Sequence, residues 1–181
     1  CILYWCEKPL TFVAKKEAKK FPFVGKVIQS IDGYFLDRSD LRDGIKMIKD
    51  TTEKLASGKC SVLIYPEGTR NREPSGPLAS FHAGSLKSLY RAGVPVIAVA
   101  QYGTQYPLHA DTNFKRYPIY MTFFPPIYKE EYEKYSAVEF APILEEMIAK
   151  EVYSERALAD SYFLLDEEKI PLRGKNAKTL Q

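Results

Sequence analysis

The chain has 181 residues, of which 45% are hydrophobic and 27% charged, and its net charge is +3. This length fits one domain with a sizeable core. The small net charge, and the lack of a basic run interleaved with aromatic residues, argue against a nucleic-acid partner. The three cysteines have neither a disulfide framework nor a zinc-binding spacing, which favours a cytoplasmic setting and no metal site.

Short β-prone runs alternate with helical patterns along the chain. The runs occupy residues 10–14, 33–36, 60–65, 94–100 and 119–124. This alternation predicts an α/β domain with a largely parallel central sheet flanked by helices. We expect that domain to cover residues 1–170 and residues 171–181 to form a flexible tail.

The helix that follows the second run has the clearest spacing. Its apolar stripe recurs every three or four residues and consists of Leu41, Ile45, Ile48, Thr52 and Leu55. Such a stripe is typical of an amphipathic helix that buries one face. Ser39 is the expected N-cap and Gly58 the expected end.

The most informative stretch follows the third run and reads Val62-Leu63-Ile64-Tyr65-Pro66-Glu67-Gly68-Thr69-Arg70. An apolar β-branched run predicts a buried strand, and the proline and glycine predict a turn at its carboxyl end. Gly68 lets a ligand approach the main chain closely. Arg70 offers a planar set of donors that suits a phosphate or carboxylate. An ordinary polar loop with a surface arginine is the plain alternative.

Cations also follow the first two predicted strands. Lys15 comes directly after the first strand and Arg38 after the second, while residues Glu67 to Arg70 follow the third. Because parallel strands place their carboxyl ends along one edge, where such folds bind ligands, these side chains should meet there. Converging cationic donors favour an anion site, and a phosphate is the expected anion.

Together these stretches resemble the glycerolipid acyltransferases of the 1-acylglycerol-3-phosphate acyltransferase (PlsC-like) type. The resemblance runs from about residue 9 to residue 126. Phe12-Val13-Ala14-Lys15-Lys16-Glu17 with Pro22, Gly25 and Gly33-Tyr34-Phe35-Leu36-Asp37-Arg38 is similar to the family's second motif and its lead-in. Tyr65-Pro66-Glu67-Gly68-Thr69-Arg70 is similar to the third motif, followed by Phe81 and Gly84, and Val94-Pro95-Val96-Ile97 to the fourth.

The resemblance implies acyl transfer from an acyl thioester, carried on acyl carrier protein or coenzyme A, to the free hydroxyl of lysophosphatidic acid or a related lysophospholipid. It implies no cofactor beyond that co-substrate. Lys15, Arg38 and Arg70, with the Glu67, Gly68 and Thr69 turn, would hold the phosphate of the acceptor. Val94, Pro95, Val96 and Ile97 would shape the apolar part of the pocket.

The chain departs from the family in one respect. The general base of the family is the histidine of a first motif, His-x-x-x-x-Asp, whose aspartate orients the ring. This chain has His82, followed five residues later by Lys87, and His109, followed two residues later by Asp111. Neither has the motif's spacing or place, so we expect no catalytic residue in this chain. Since the chain begins at Cys1, we expect the histidine and aspartate to lie upstream of it.

Two further interpretations remain open beside the enzyme. A degenerate relative would bind a lysophospholipid or acyl phosphate without chemistry. A different phosphate-handling α/β enzyme would use the same cations, although the chain has neither standard glycine-rich phosphate loop. For the acyltransferase and for the binding module, the expected location is the cytoplasmic face of a membrane, held peripherally or by an upstream segment.

Overall fold

A computed structural model of the chain describes residues 6, 8–37, 39–69, 76–104 and 119–164, with side chains as far as residue 154. The described residues form two compact units. The first unit takes its residues from 1–68, 81–96 and 127–140, and the second from 69–80, 97–126 and 141–181. The expected flexible tail at 171–181 lies outside the described residues, and the single domain of residues 1–170 stays a prediction.

The first unit is built on three parallel strands, β1 (Leu10–Lys15), β2 (Tyr34–Leu36) and β3 (Ser61–Leu63). Their order is β2-β1-β3, with Lys15 in register with Leu36 and Phe12 in register with Leu63. Helix α1 (Pro22–Ser30) connects β1 to β2, and helix α2 (Leu41–Ala56) connects β2 to β3. Parallel strands linked through helices confirm the predicted α/β class.

Helix α1 begins at a proline. A short 3-10 helix, Lys16–Lys20, precedes it, and Pro22 occupies its first turn. A proline is tolerated there because the first amides of a helix have no intrahelical partner. Ile28 is buried on its inner face, while Phe23 is exposed on its outer face.

Helix α2 forms as predicted, but its N-cap and its buried face differ from those expected. Its N-cap is Asp40, whose carboxylate accepts a hydrogen bond from the Arg42 amide at 2.8 Å, so the expectation of Ser39 was wrong by one residue. Leu41 and Ile45 of the expected apolar stripe are exposed, whereas Thr51 is buried. The Thr51 hydroxyl contacts the Met47 carbonyl at 2.7 Å, so a hydroxyl sits at the centre of the buried face.

The remaining helices of the first unit follow the turn after β3. A 3-10 helix, Ala83–Leu86, leads into α3 (Lys87–Ala92), which ends at Gly93 with a left-handed φ of 65°. The short helix α4 (Lys129–Tyr132) carries the buried Tyr132, whose ring lies edge-on to Tyr90 with 5.1 Å between centroids. The Thr51 hydroxyl of α2 is hydrogen-bonded to the Ser88 hydroxyl of α3, which joins these two helices through buried polar groups.

The second unit contains an antiparallel pair, β4 (Val99–Tyr102) and β5 (Tyr120–Phe123). The predicted fourth strand at 94–100 was therefore wrong in its bounds. Within that run Val96 forms only an isolated bridge to Ile127, in the first unit. The core of the second unit is Ala100, Tyr102 and Val152, the last on helix α5 (Ala137–Leu164). Among the described residues, no helix combines the length and apolar character that crossing a bilayer requires.

Candidate functional site

The parallel sheet brings the ends of the first and third strands to one edge. Lys15 is the last residue of β1 and is exposed, and Glu67 and Gly68 follow β3 and are half-buried. Both segments lie beyond the Phe12 and Leu63 pair, on the carboxyl side of the register. Ligands of open parallel sheets bind at this edge. We refer to it below as the carboxyl edge.

The turn after β3 has the backbone that its sequence predicts. The Gly68 amide donates to the Tyr65 carbonyl at 3.0 Å, and the φ of Gly68 is 64°. This left-handed conformation costs other residues about 1–2 kcal/mol, so glycine is the residue that fits. The His82 amide donates to the Pro66 carbonyl at 3.0 Å and ties the start of the next helical segment to the turn.

The connection after β2 is held by a chain of carboxylates. The Asp43 carboxylate accepts hydrogen bonds from the Asp37 amide at 2.7 Å and from the Tyr34 hydroxyl at 2.9 Å. The Asp37 carboxylate in turn accepts from the Ser39 hydroxyl at 2.6 Å and from the Lys16 ammonium at 3.0 Å. These contacts fix the backbone on both sides of position 38.

The pKa values of this connection follow from those contacts. Hydrogen bonds from Ser39 and Lys16 stabilise the carboxylate and lower the pKa of Asp37 to about 2. The hydrogen bond to Asp37 raises the pKa of Lys16. Burial, with the hydrogen bond to Asp43, raises the pKa of Tyr34 to about 12. At neutral pH the Lys16 and Asp37 pair is therefore charged, and Tyr34 remains a hydrogen-bond donor.

The other predicted phosphate ligands are less well located. Arg38 and Arg70 lie outside the described residues, and Thr69 is exposed and belongs to the second unit. The structure therefore places Lys15, Glu67 and Gly68 at one edge, and the convergence of the arginines and Thr69 on them stays a prediction.

The predicted pocket segment, 94–97, is anchored through its main chain. The buried Tyr132 hydroxyl donates to the Val94 carbonyl at 3.0 Å, and Val96 exchanges two backbone hydrogen bonds with Ile127. Pro95 and Ile97 are exposed, and Ile97 belongs to the second unit. A role of these four residues in binding an acyl chain stays a prediction.

Of the two histidines, the described residues include His82. His82 is exposed and directly precedes the 3-10 helix at Ala83–Leu86, and His109 lies outside the described residues. Within the part of the chain that the structure describes, no three His, Cys, Asp or Glu side chains gather in a group that would hold a metal ion.

Two features of the carboxyl edge were missed by the sequence reasoning. Lys16, rather than its neighbour Lys15, pairs with Asp37, and Asp43 organises the connection that carries position 38. Lys16 and Asp37 are 21 residues apart and meet only because β1 and β2 are paired. Asp43 is recognisable in the sequence as an acid in the first turn of a helix. Acids at that position usually interact with the helix dipole, so its contact with the Asp37 amide was not expected.

Comparisons with known proteins agree with this architecture. The family model for acyltransferases matches residues 1–102. A 1-acyl-sn-glycerol-3-phosphate acyltransferase of Cocos nucifera is 25% identical over 134 residues, which cover 74% of this chain and 43% of that protein. A probable 1-acyl-sn-glycerol-3-phosphate acyltransferase of Mycoplasma genitalium is 32% identical over 111 residues, or 61% of this chain and 40% of that protein.

A solved structure is similar in fold as well. The crystal structure of the 1-acyl-sn-glycerophosphate acyltransferase PlsC of Thermotoga maritima superposes with a TM-score of 0.62 at 28% identity, covering 81% of this chain and 57% of that one. The chain spans less than half the length of the two curated relatives described above. The family match includes β1, β2, β3 and the turn after β3, and so the whole carboxyl edge. The chain belongs to the acyltransferase family.

Proposed function

We propose that the protein transfers a fatty acyl group from an acyl thioester to the free hydroxyl of lysophosphatidic acid or a closely related lysophospholipid. The observation that carries the proposal is the placement of Lys15 and the Tyr65–Gly68 turn at the same carboxyl edge, in a chain of the acyltransferase family. Relatives named as acting on 1-acyl-sn-glycerol-3-phosphate support the choice of acceptor.

The proposed reaction moves the acyl group from the sulfur of the thioester to the hydroxyl oxygen of the acceptor. The acceptor hydroxyl oxygen attacks the thioester carbonyl carbon, the new carbon–oxygen bond forms, and the carbon–sulfur bond breaks. The hydroxyl proton passes to a general base and then to the departing thiolate, so the products are an ester and a free thiol. The base would be the histidine of a His-x-x-x-x-Asp motif, which we expect upstream of Cys1.

The residues of this chain would bind and orient the acceptor. Lys15, Arg38 and Arg70 would neutralise its phosphate, because charge-assisted hydrogen bonds from several donors hold that group firmly. The left-handed Gly68 supports the proposal, since a residue without a side chain lets the phosphate approach the turn. Glu67 and Thr69 would complete the turn, and the 94–97 segment would contact the acyl chains.

The donor and the location belong to the proposal as well. Acyl carrier protein and coenzyme A are both acceptable carriers of the thioester, and an assay must supply each. The acceptor resides in membranes, so we place the protein at the cytoplasmic face of one, either peripherally or through an upstream segment.

The experiment is acyl transfer to lysophosphatidic acid with each donor, run on this chain and on the chain extended by the preceding coding sequence. We expect transfer in the extended form and its loss when an upstream histidine is replaced by alanine. Transfer by the 181-residue chain would direct attention to His82 and His109. If neither form transfers an acyl group but both still bind lipid through its phosphate, the enzyme interpretation is overturned and the binding module is favoured.

A further inference from the structure

Two acids near the start of helix α2 make different contacts. Asp40 is the N-cap, and its carboxylate accepts a hydrogen bond from the Arg42 amide at 2.8 Å. The Asp43 carboxylate turns toward β2 instead. One of its oxygens accepts from the Asp37 amide at 2.7 Å, and the other accepts from the Tyr34 hydroxyl at 2.9 Å. Asp43 therefore links α2 to the segment that leaves β2, whereas the Asp40 carboxylate caps the helix.

The Asp43 carboxylate is held in one orientation. Burial, with the hydrogen bond to Asp43, raises the pKa of Tyr34 to about 12, so the Tyr34 hydroxyl keeps its proton at neutral pH. Because each carboxylate oxygen has its own donor, the side chain cannot rotate without losing a hydrogen bond. The Asp37 amide thus meets a fixed and charged acceptor, which makes a stronger hydrogen bond than a neutral one.

The anchored amide lies one residue before Arg38 in the sequence. On the other side of that position, Ser39 is anchored as well. The Asp37 carboxylate accepts from the Ser39 amide at 3.0 Å and from the Ser39 hydroxyl at 2.6 Å. Since the backbone decides which rotamers a side chain can adopt, we expect these contacts to limit the orientations open to the Arg38 side chain.

The same connection is tied to the first strand, which carries another predicted phosphate ligand. Lys15 is in register with Leu36, the residue before Asp37. The Lys16 ammonium pairs with the Asp37 carboxylate at 3.0 Å, so a cation balances this acid locally. A phosphate that is held by two cations needs them at a matched separation, because a charge-assisted hydrogen bond depends on distance and direction. The position of the connection relative to β1 therefore matters for binding.

We propose that Asp43 is a positioning residue for the acceptor's phosphate, because it holds the Asp37 amide and so fixes the connection that carries Arg38. The inference rests on the proposed function for the identity of the ligand. It adds a residue outside the predicted phosphate ligands that sets the affinity for that ligand. Asp43 is itself negatively charged, so it acts through Arg38 and not by touching the phosphate.

Titration of the 181-residue chain with lysophosphatidic acid tests the role of Asp43 by comparing Asp43→Ala with Asp40→Ala. Each variant removes one negative charge from the same end of α2, while Asp43→Ala also removes the acceptor of the Asp37 amide. A third variant, Asp43→Asn, keeps an oxygen for that amide. The Tyr34 hydroxyl can then turn to the main-chain carbonyl of residue 43, which lies 3.4 Å away. Each variant is made alone and together with Arg38→Ala.

We expect Asp43→Ala to weaken the binding of lysophosphatidic acid about tenfold, the scale of one hydrogen bond to a charged group. Asp40→Ala should change the affinity less than about twofold, because an exposed charge is screened by water, and Asp43→Asn should bind nearly as the parent does. In the Arg38→Ala background, Asp43→Ala should have little further effect, since residues that act as a unit are not additive.

Two further measurements separate positioning from a general loss of stability. Hydrogen exchange of the Asp37 amide should become faster in Asp43→Ala and stay unchanged in Asp40→Ala. The thermal unfolding midpoint should fall at least as far in Asp40→Ala, because that variant loses the N-cap of α2. Asp43 is half-buried in the first turn of its helix, so both variants should remain folded.

Failure of this inference is distinguishable from failure of the proposed function. The positioning role would be overturned if Asp43→Ala bound lysophosphatidic acid as tightly as the parent, or if Asp40→Ala weakened binding as much. A tenfold loss that persisted in the Arg38→Ala background would also overturn it. The expected affinities, in a protein that transfers no acyl group when extended upstream, would remove the proposed reaction and support the role of Asp43 in binding.

Discussion

The two edges of the parallel sheet are built differently. At the amino edge, the Asp32 carbonyl accepts from the Thr11 hydroxyl at 2.9 Å and from the Lys54 ammonium at 2.6 Å. Next to it, Gly33 lies so close to Ile28 that a Cβ would stand 2.6 Å from the Ile28 Cγ2 atom. At the carboxyl edge, Lys15 and Phe23 are exposed to solvent. The amino edge is closely packed, whereas the carboxyl edge, beside the Lys16 and Asp37 pair, also presents a cation and an aromatic ring to solvent.

This difference separates residues that hold the fold from residues that meet a ligand. A buried or tightly packed group contributes to the free energy of unfolding, because removing or enlarging it disturbs its neighbours. An exposed cation contributes little to stability, since water and salt screen it. Substitutions at the amino edge should therefore change stability, and substitutions at the carboxyl edge should change binding.

The largest effect is expected at the amino edge, from Gly33→Ala. The new methyl group would meet the buried Ile28 side chain and the Ile28 carbonyl oxygen, at 2.6 Å and 2.9 Å, so part of α1 must shift. We expect the free energy of unfolding to fall by about 3 kcal/mol, measured by denaturant titration. Gly44→Ala is the control, because nothing lies within 4 Å of its Cβ position, and it should gain stability instead. Equal stability of the Gly33 variant and the parent would show that this edge is not tightly packed.

A pair of glycines sharpens the comparison at the carboxyl edge. Gly68 and Gly93 have φ angles of 64° and 65°, so alanine at either should cost a similar backbone strain of about 1–2 kcal/mol. Only Gly68 lies in the proposed phosphate site. Gly68→Ala should therefore weaken the binding of lysophosphatidic acid beyond what the loss of stability explains, and Gly93→Ala should leave that affinity unchanged. Similar affinities in the two variants would mean that the Gly68 turn does not contact the ligand.

The smallest effect concerns the exposed ion pair at the carboxyl edge. The pKa of Asp37 is about 2 in the folded protein, below the roughly 3.9 of an unfolded chain. Its contribution to stability is therefore present above about pH 3.9 and is lost as the pH falls through the folded value. A carboxyl-carbon NMR titration should report the low pKa, and Ser39→Ala should raise it, because the largest stabilising hydrogen bond comes from the Ser39 hydroxyl. An unchanged pKa in that variant would contradict the assigned contacts.

The parts of the fold that repeat a local pattern were predictable from the sequence. Apolar spacing located α2, and a turn at Gly68 was expected because glycine permits a left-handed backbone. The N-cap of α2 was misplaced because Ser39 and Asp40 are both good caps, and Ser39 is occupied by the Asp37 carboxylate. The bounds of β4 were wrong because an apolar run does not reveal where its strand partner begins.

For the candidate site, the sequence predicted which segments share an edge but not which side chains pair there. That Lys15 and the turn after β3 share an edge follows from parallel pairing, which the alternation of strands and helices indicates. The pairing of Lys16 with Asp37 joins residues that are distant in sequence, and it depends on the β1 and β2 register. The orientations of Arg38 and Arg70 depend on tertiary contacts in the same way, and they stay predictions.

The most direct test of the central claim, that the carboxyl edge binds the phosphate of the acceptor, is a titration of Arg70→Ala and the parent with lysophosphatidic acid. The same titration with a monoacylglycerol, which has the same acyl chain and no phosphate, is the control. We predict that Arg70→Ala weakens the binding of lysophosphatidic acid by about 2–3 kcal/mol, the scale of a charge-assisted hydrogen bond, and does not affect the monoacylglycerol. Equal affinity of the two proteins for lysophosphatidic acid would place the phosphate site elsewhere and contradict the account.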